Sequence, residues 1–173
     1  LSYILFSNHS ISILPNEKIK IHKLFESFYE QGPSESHFVF RGENGFCFLG
    51  SSPETLIKKK GLTLSTEALA GTSNRNEEHL LDSSQKDLSE QSIVAEEILA
   101  VLNQLCLKVE INSQPKIKRL NHLSHLCSEI EATLKSSCHI LKLTANLHPT
   151  PAVGGRPTLK AKDFILKHEE FDR

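Results

Sequence analysis

FCFLGSSPETLIKKKGLTLSTEALAGTSNR, residues 46–75, reads as strand, tight polar connection, strand, hairpin, strand and glycine turn. Phe46 and Phe48 alternate with smaller residues, and Gly50, Ser51, Ser52 and Pro53 interrupt the run. Thr55, Leu56 and Ile57 resume it before Lys58, Lys59, Lys60 and Gly61 turn the chain back into Leu62, Thr63 and Leu64. Glu54 then stands beside Pro53 where an apolar strand re-enters a sheet, and it is expected to be part-buried. A part-buried carboxyl holds its proton more readily, as a general acid must. A solvated strand-end glutamate is the alternative. Next, Ala70, Gly71 and Thr72 form a turn whose backbone N–H groups could approach an anion, since glycine has no Cβ to keep it away. A plain connection between strand and helix fits the same residues.

Before this stretch, residues 1–14 alternate loosely and predict one or two strands. Ile21, Leu24, Phe25 and Phe28 fall at i, i+3, i+4 and i+7, predicting an amphipathic helix capped by Asn16 and ending before Gly32 and Pro33. Residues 37–40 read as a strand, with a hairpin at 42–45 leading into Phe46.

After it, residues 76–108 predict one long helix or two abutting ones, with Val94, Ile98, Val101, Leu102 and Leu105 as the apolar stripe. At about 100° per residue, Glu90 projects within roughly 40° of Val94 and 20° of Val101. An inward carboxylate needs a cation, a metal or a donor. Both an ion pair with a nearby Lys or Arg and a metal meet that need. Glu97 leans the same way and reads as structural. Leu120, Leu123, Cys127, Ile130 and Leu134 repeat at three and four, predicting another core helix, with Pro115 in its first turn. His122 and His125 are spaced to share a metal, but no third ligand is spaced to join them, and packing histidines are the simpler reading. Residues 138–147 predict a shorter helix, and His148-Pro149-Thr150-Pro151 a rigid loop, because two such prolines fit neither helix nor central strand. Thr158 is a candidate cap for a last helix.

The chain has 173 residues, enough for one ordinary domain with a real core, and 20 basic residues against 21 acidic ones. That balance calls for neither nucleic acid nor an anionic membrane. No apolar segment approaches about 18 residues, and no signal segment opens the chain, so a cytoplasmic protein with no membrane span is expected. Cys47, Cys106, Cys127 and Cys138 lack CxxC spacing and read as buried thiols. There is no methionine, so either processing removed the start or this is a piece of a longer protein.

Four segments in order, FLGSSPE (48–54), TEALAGT (66–72), QKDLSE (85–90) and LHPTPAVGG (147–155), resemble the successive signatures of the chorismate-utilising enzymes. The last is most similar to that of the isochorismate synthases, and the likeness runs from about residue 38 to the end. The resemblance implies a mixed α+β fold of antiparallel sheet layers packed with helices. It implies a partial chorismate-binding domain over residues 1–173, truncated at both ends. It implies an isomerase of the hydroxymutase type that turns chorismate into isochorismate, in menaquinone or siderophore biosynthesis. By the same resemblance Glu54 is the catalytic acid, Glu90 in its KDxxE-like pattern a ligand for Mg2+, and Ala70, Gly71, Thr72 and His148 border chorismate. The family's water-activating lysine, in a KxxxxR-like pattern, has no match in LSYILF, and Lys18 and Lys20 read as solvated helix residues. A salicylate- or anthranilate-synthase-like enzyme is the nearest alternative. A non-catalytic remnant, self-associating through exposed sheet edges, is the alternative from another class.

Overall fold

The computed structural model describes residues 20–32, 36–112, 114–120 and 123–169. The strands expected in residues 1–14 and the cap at Asn16 lie outside them. The chain divides into two compact units that part between Thr55 and Leu56.

In the first unit, helix α1 (Ile21–Gln31) presents the expected stripe, with Ile21, Leu24, Phe25 and Phe28 all half-buried. It stops where Gly32 N–H donates to the Phe28 carbonyl. Strand β1 (Ser36–Arg41) pairs antiparallel with β2 (Cys47–Ser52). Their connection is a short 3-10 turn, Glu43–Gly45, in which Asn44 and Gly45 take positive φ. His37 meets the rings of Phe25 and Tyr29, so alternation sends Phe38 and Phe40 to the other face. There Phe38 packs on Phe48 and Phe40 on Phe46, and all four rings are exposed. Gly50 lets the Phe38 ring lie over the strand, since a Cβ would stand 2.6 Å from Cζ of Phe38 and push the ring aside.

The second unit is an antiparallel sheet with a helix across it. Strand β3 (Lys58–Lys60) turns at Gly61 into β4 (Thr63–Asn74). A 3-10 segment, Arg75–Ser83, leads to helix α2 (Gln85–Leu105), whose N-cap Ser84 accepts from the Asp87 N–H. Then follow β5 (Cys106–Ile111), β6 (Lys116–Arg119) and β7 (Leu123–Leu134). Helices α3 (Ile140–Leu147), α4 (Pro151–Gly154) and α5 (Thr158–His168) complete it. The sheet order is β3-β4-β7-β5, with β6 also on β7, so β7 is the strand all longer strands share. Leu64, Ala68 and Ala70 of β4 and Ile130, Ala132 and Leu134 of β7 form one floor of the core. Val94, Ile98 and Leu102 of α2 cover it, with Leu143 and Leu147 closing one end. Fully burying each such aliphatic contributes about 1.5–3 kcal/mol.

Four expectations change. Residues 120–134, read as a helix, contain β7 instead. The buried side chains are Ser124, Leu126, Cys127, Ser128, Ile130, Ala132 and Leu134, while Glu129, Glu131 and Thr133 point out. Two of the inward residues are serines, so hydropathy hid the period of two. Pro115 accordingly precedes a strand, not a helix. Residues 55–57 form no strand, and the Leu56 carbonyl is held by Thr66 Oγ1 at 2.6 Å. The lysine run is itself β3, with the turn at Gly61 and Leu62. The long helix of 76–108 is the 3-10 segment, α2 and the start of β5.

Candidate functional site

Gly71 is not a strand-to-helix turn but a bulge within β4. The register against β7 shifts between Ala70 and Thr72, and Gly71 takes φ +73°. It is buried against the first turn of α2: a Cβ there would lie 2.9 Å from the Asp87 Cβ and 3.3 Å from its carbonyl oxygen. Only glycine meets both demands. The bulge separates its neighbours, so that Ala70 faces the core while Thr72 is exposed.

Thr72 Oγ1 lies 2.9 Å from Nδ1 of His125 on β7. Burial pushes the His125 pKa below its ordinary value, against a hydrogen bond to the Gly71 backbone that raises it, and Lys118 adds to the lowering. A neutral ring therefore braces the bulge. Thr72 also lines a cavity of about 360 Å3 with Ser73, Asn74, Glu77, Leu80, Leu81, Asp87 and Leu123. Arg119 of β6 ties down the 3-10 segment, since its guanidinium donates to both carboxylate oxygens of Glu78 at 2.7–3.1 Å. That contact and Ser124 keep the Glu78 carboxyl below the usual range.

Glu90 follows Asp87 by one turn of α2. Its side chain is 17% exposed, with Lys86 Nζ at 3.6 Å, a long i,i+4 contact. Beside it Gln91 is buried and its Nε2 donates to Ser128 Oγ at 2.7 Å, fixing this turn to β7. Glu97, two turns further, lies 3.4 Å from Arg156, which bonds Glu96 more closely at 2.9 Å.

The other two candidates lie on other elements of the chain. His148 is exposed at the C-cap of α3, ahead of a cis peptide to Pro149. It lines a separate small cavity with Glu97. Glu54 belongs to the first unit and, against the part-buried expectation, is exposed; Ser52 Oγ donates to its carbonyl at 3.4 Å. The structure thus brings together Gly71, Thr72, Asp87 and, one turn on, Glu90.

Sequence reasoning missed Asp87, and it read His125 as a packing histidine without its partner Thr72. His125 was placed on a helix, where it had no reason to meet Thr72, and the only signal was the pairing of two strands about fifty residues apart. It also missed Glu67, whose carboxylate takes Lys118 Nζ at 2.6 and 2.7 Å with Cys127 Sγ at 3.7 Å. Burial first, and then that carboxylate, push the Cys127 thiol up to about 12, so it is unreactive, as a buried thiol was expected to be.

The model of a family described as chorismate binding enzyme matches residues 7–173. The chloroplastic isochorismate synthase of Catharanthus roseus is 36% identical over 155 residues, covering 85% of this chain and 27% of that protein. The salicylate biosynthesis isochorismate synthase of Pseudomonas aeruginosa is 42% identical over 136 residues, covering 73% and 28%. The structure of DhbC from Bacillus anthracis, assigned as a 2,3-dihydroxybenzoate-specific isochorismate synthase, superposes with a TM-score of 0.86 at 32% identity. It spans 91% of this chain, and this chain spans 46% of it, so the chain accounts for less than half the length of these relatives. With its antiparallel sheet, its covering helix and a family match over all but the first six residues, the chain belongs to the chorismate binding enzymes.

Proposed function

We propose that the chain forms part of an isochorismate synthase-like enzyme that adds water at C2 of chorismate and expels the C4 hydroxyl. The observation that carries this reading is the seating of the Gly71 bulge on the first turn of α2, one turn from a shielded carboxylate. Exposed Thr72 and backbone at the bulge face a carboxylate-bearing substrate, and Glu90 supplies the place for a cation beside it. Glu54 acts as the acid toward the leaving hydroxyl, and His148 borders the substrate from the loop after α3.

Among the described residues no three His, Cys, Asp or Glu side chains gather for a metal. Glu90 alone fits Mg2+, which keeps several waters and takes one or two protein carboxylates together with the substrate. Lys86, at 3.6 Å and mostly exposed, is a partner that yields easily. Magnesium, when bound, would neutralise a substrate carboxylate. Relatives carry the names of both isochorismate and salicylate biosynthesis, and a salicylate- or anthranilate-synthase-like product remains the nearest rival.

The test is direct. The chain is mixed with chorismate and Mg2+, product is followed by chromatography, and Glu54→Gln is run beside it. Product from the parent and a loss of about 10²-fold or more in the variant supports the acid role. Equal product from both rejects it. Calorimetry of chorismate with Mg2+ separates binding from turnover: Glu90→Gln should weaken it about tenfold or more.

A second reading, a non-catalytic segment that associates with a second copy of itself, is favoured by the phenylalanine face of the β1–β2 hairpin. Phe38, Phe40, Phe46 and Phe48 are 42–60% exposed. Together they present roughly 400 Å2 of apolar surface, within the roughly 300–600 Å2 of the largest patch on an ordinary monomer. Two such faces reach about 800 Å2, and strand-edge pairing brings them to the roughly 1,000 Å2 of the smallest stable interfaces. Elution that shifts earlier as concentration rises supports the pairing, and an invariant monomer rejects it. No helix among the described residues is long and apolar enough to cross a membrane.

A further inference from the structure

The small cavity behind the loop that follows α3 is distinct from the one at Thr72. Glu97, Ile98 and Val101 of α2 form one wall; Leu147, Pro149, Thr150 and Thr158 lie opposite. It offers about 120 Å3 of room for the centres of water molecules. Thr150 lines it at 5% exposure, and its Oγ1 is buried with no hydrogen-bond partner, although its carbonyl caps the turn by accepting from Val153 and Gly154. A buried hydroxyl without a partner is costly, a cost that valine, of the same shape, would not carry. A hydroxyl in such a place calls for a hydrogen-bonding partner from outside the chain.

The surroundings restrict what that partner is. Arg156 reaches Glu97 at 3.4 Å while bonding Glu96 at 2.9 Å, and among the described residues no three His, Cys, Asp or Glu side chains gather here to hold a cation. Five of its lining residues are Ile98, Val101, Leu147, Pro149 and Pro151, which reject an anion. Its volume lies well below the roughly 300 Å3 at which pockets for organic metabolites begin. One water needs about 10–15 Å3 of such space and two or more polar partners. We infer that this cavity is an internal hydration site, in which ordered water bonds to the Thr150 hydroxyl and joins the loop to α2 across Glu97. The contact between the loop bearing His148 and the helix bearing Glu90 is then a wet one, and the loop is tethered to α2 by exchangeable bridges. This holds whether or not the chain handles chorismate.

The full chain, 13C-labelled in its methyl groups, tests this by magnetic resonance. Methyls of Ile98, Val101 and Leu147 carry no exchangeable protons, so their cross-relaxation with the water signal reports water inside the cavity. Cross-peaks with the sign of a long-lived water are expected, together with a melting temperature about 2–4 °C lower in Thr150→Val. Absent cross-peaks overturn the inference. So does a Thr150→Val chain that melts higher than the parent, because removing a hydroxyl from a dry cavity is stabilising. Should the variant fail to fold, the cross-peaks of the parent chain decide alone.

Discussion

Replacing Gly71 by alanine tests the bulge that organises the candidate site. Two costs follow from its geometry. Its φ of +73° places an alanine in the left-handed region, at about 1–2 kcal/mol. The new methyl would meet the Asp87 Cβ at 2.9 Å and its carbonyl oxygen at 3.3 Å, where the neighbour is helix backbone that cannot swing aside. Such overpacking adds about 1–3 kcal/mol. The total, about 2–5 kcal/mol, lowers the melting temperature by roughly 5–15 °C in a chain of this size. Gly61 is the internal control, with φ of +62° but nothing within 4 Å of its would-be Cβ. Both variants share the conformational term, so calorimetry on the pair isolates the clash. Gly71→Ala should exceed Gly61→Ala by about 1–3 kcal/mol. Equal losses would mean that the bulge does not press on α2, and the seating of Thr72 next to the Glu90 helix would lose its basis.

Other outcomes are accessible to the same measurements. Ser128→Ala removes the acceptor of the buried Gln91 amide and should cost about 1–3 kcal/mol in urea denaturation, whereas Gln91→Leu combined with Ser128→Ala should cost less than the two separately. Ile130→Ala, at the centre of the sheet and 1% exposed, should cost about 2–5 kcal/mol, and a loss below 1 kcal/mol would argue against a buried strand there. The lowered His125 pKa makes stability pH-dependent. As pH falls through the ordinary value of 6.5 the unfolded chain takes up the proton first, so stability is complete above that pH and declines below it. His125→Asn should flatten the melting temperature between pH 7 and 5, and an unchanged slope would remove His125 as its source.

What was legible in the chain followed from local rules. The stripe of α1, the apolar positions 94, 98 and 102 of α2 and the stop imposed by Pro149 and Pro151 are each set within a few residues of themselves. Glu90 was rightly turned inward, because its angle to Val94 needs only the helical period. β7 was misread because its period of two is carried partly by Ser124 and Ser128, and Ser128 is tolerable inside only through Gln91, 37 positions earlier. The bulge was invisible for a related reason: a register shift is a property of two strands, and the sequence shows one at a time. His125 was lost with it. Glu54 was placed by its neighbours in the chain, yet those neighbours leave it exposed.

The position of β7 in the sheet has a consequence for how this chain is made. Its partners β4 and β5 leave the ribosome first, and the strand that joins them is finished only at Leu134, sixty residues after Asn74. At usual rates of synthesis that interval is roughly 3–12 s. During it the apolar side of α2 has only the β4 half of its floor to rest on, and β4 offers an unpaired edge. A nascent chain in that state is a natural client for chaperones, and synonymous changes that slow translation between codons 75 and 123 would lengthen the exposure without altering a single amino acid.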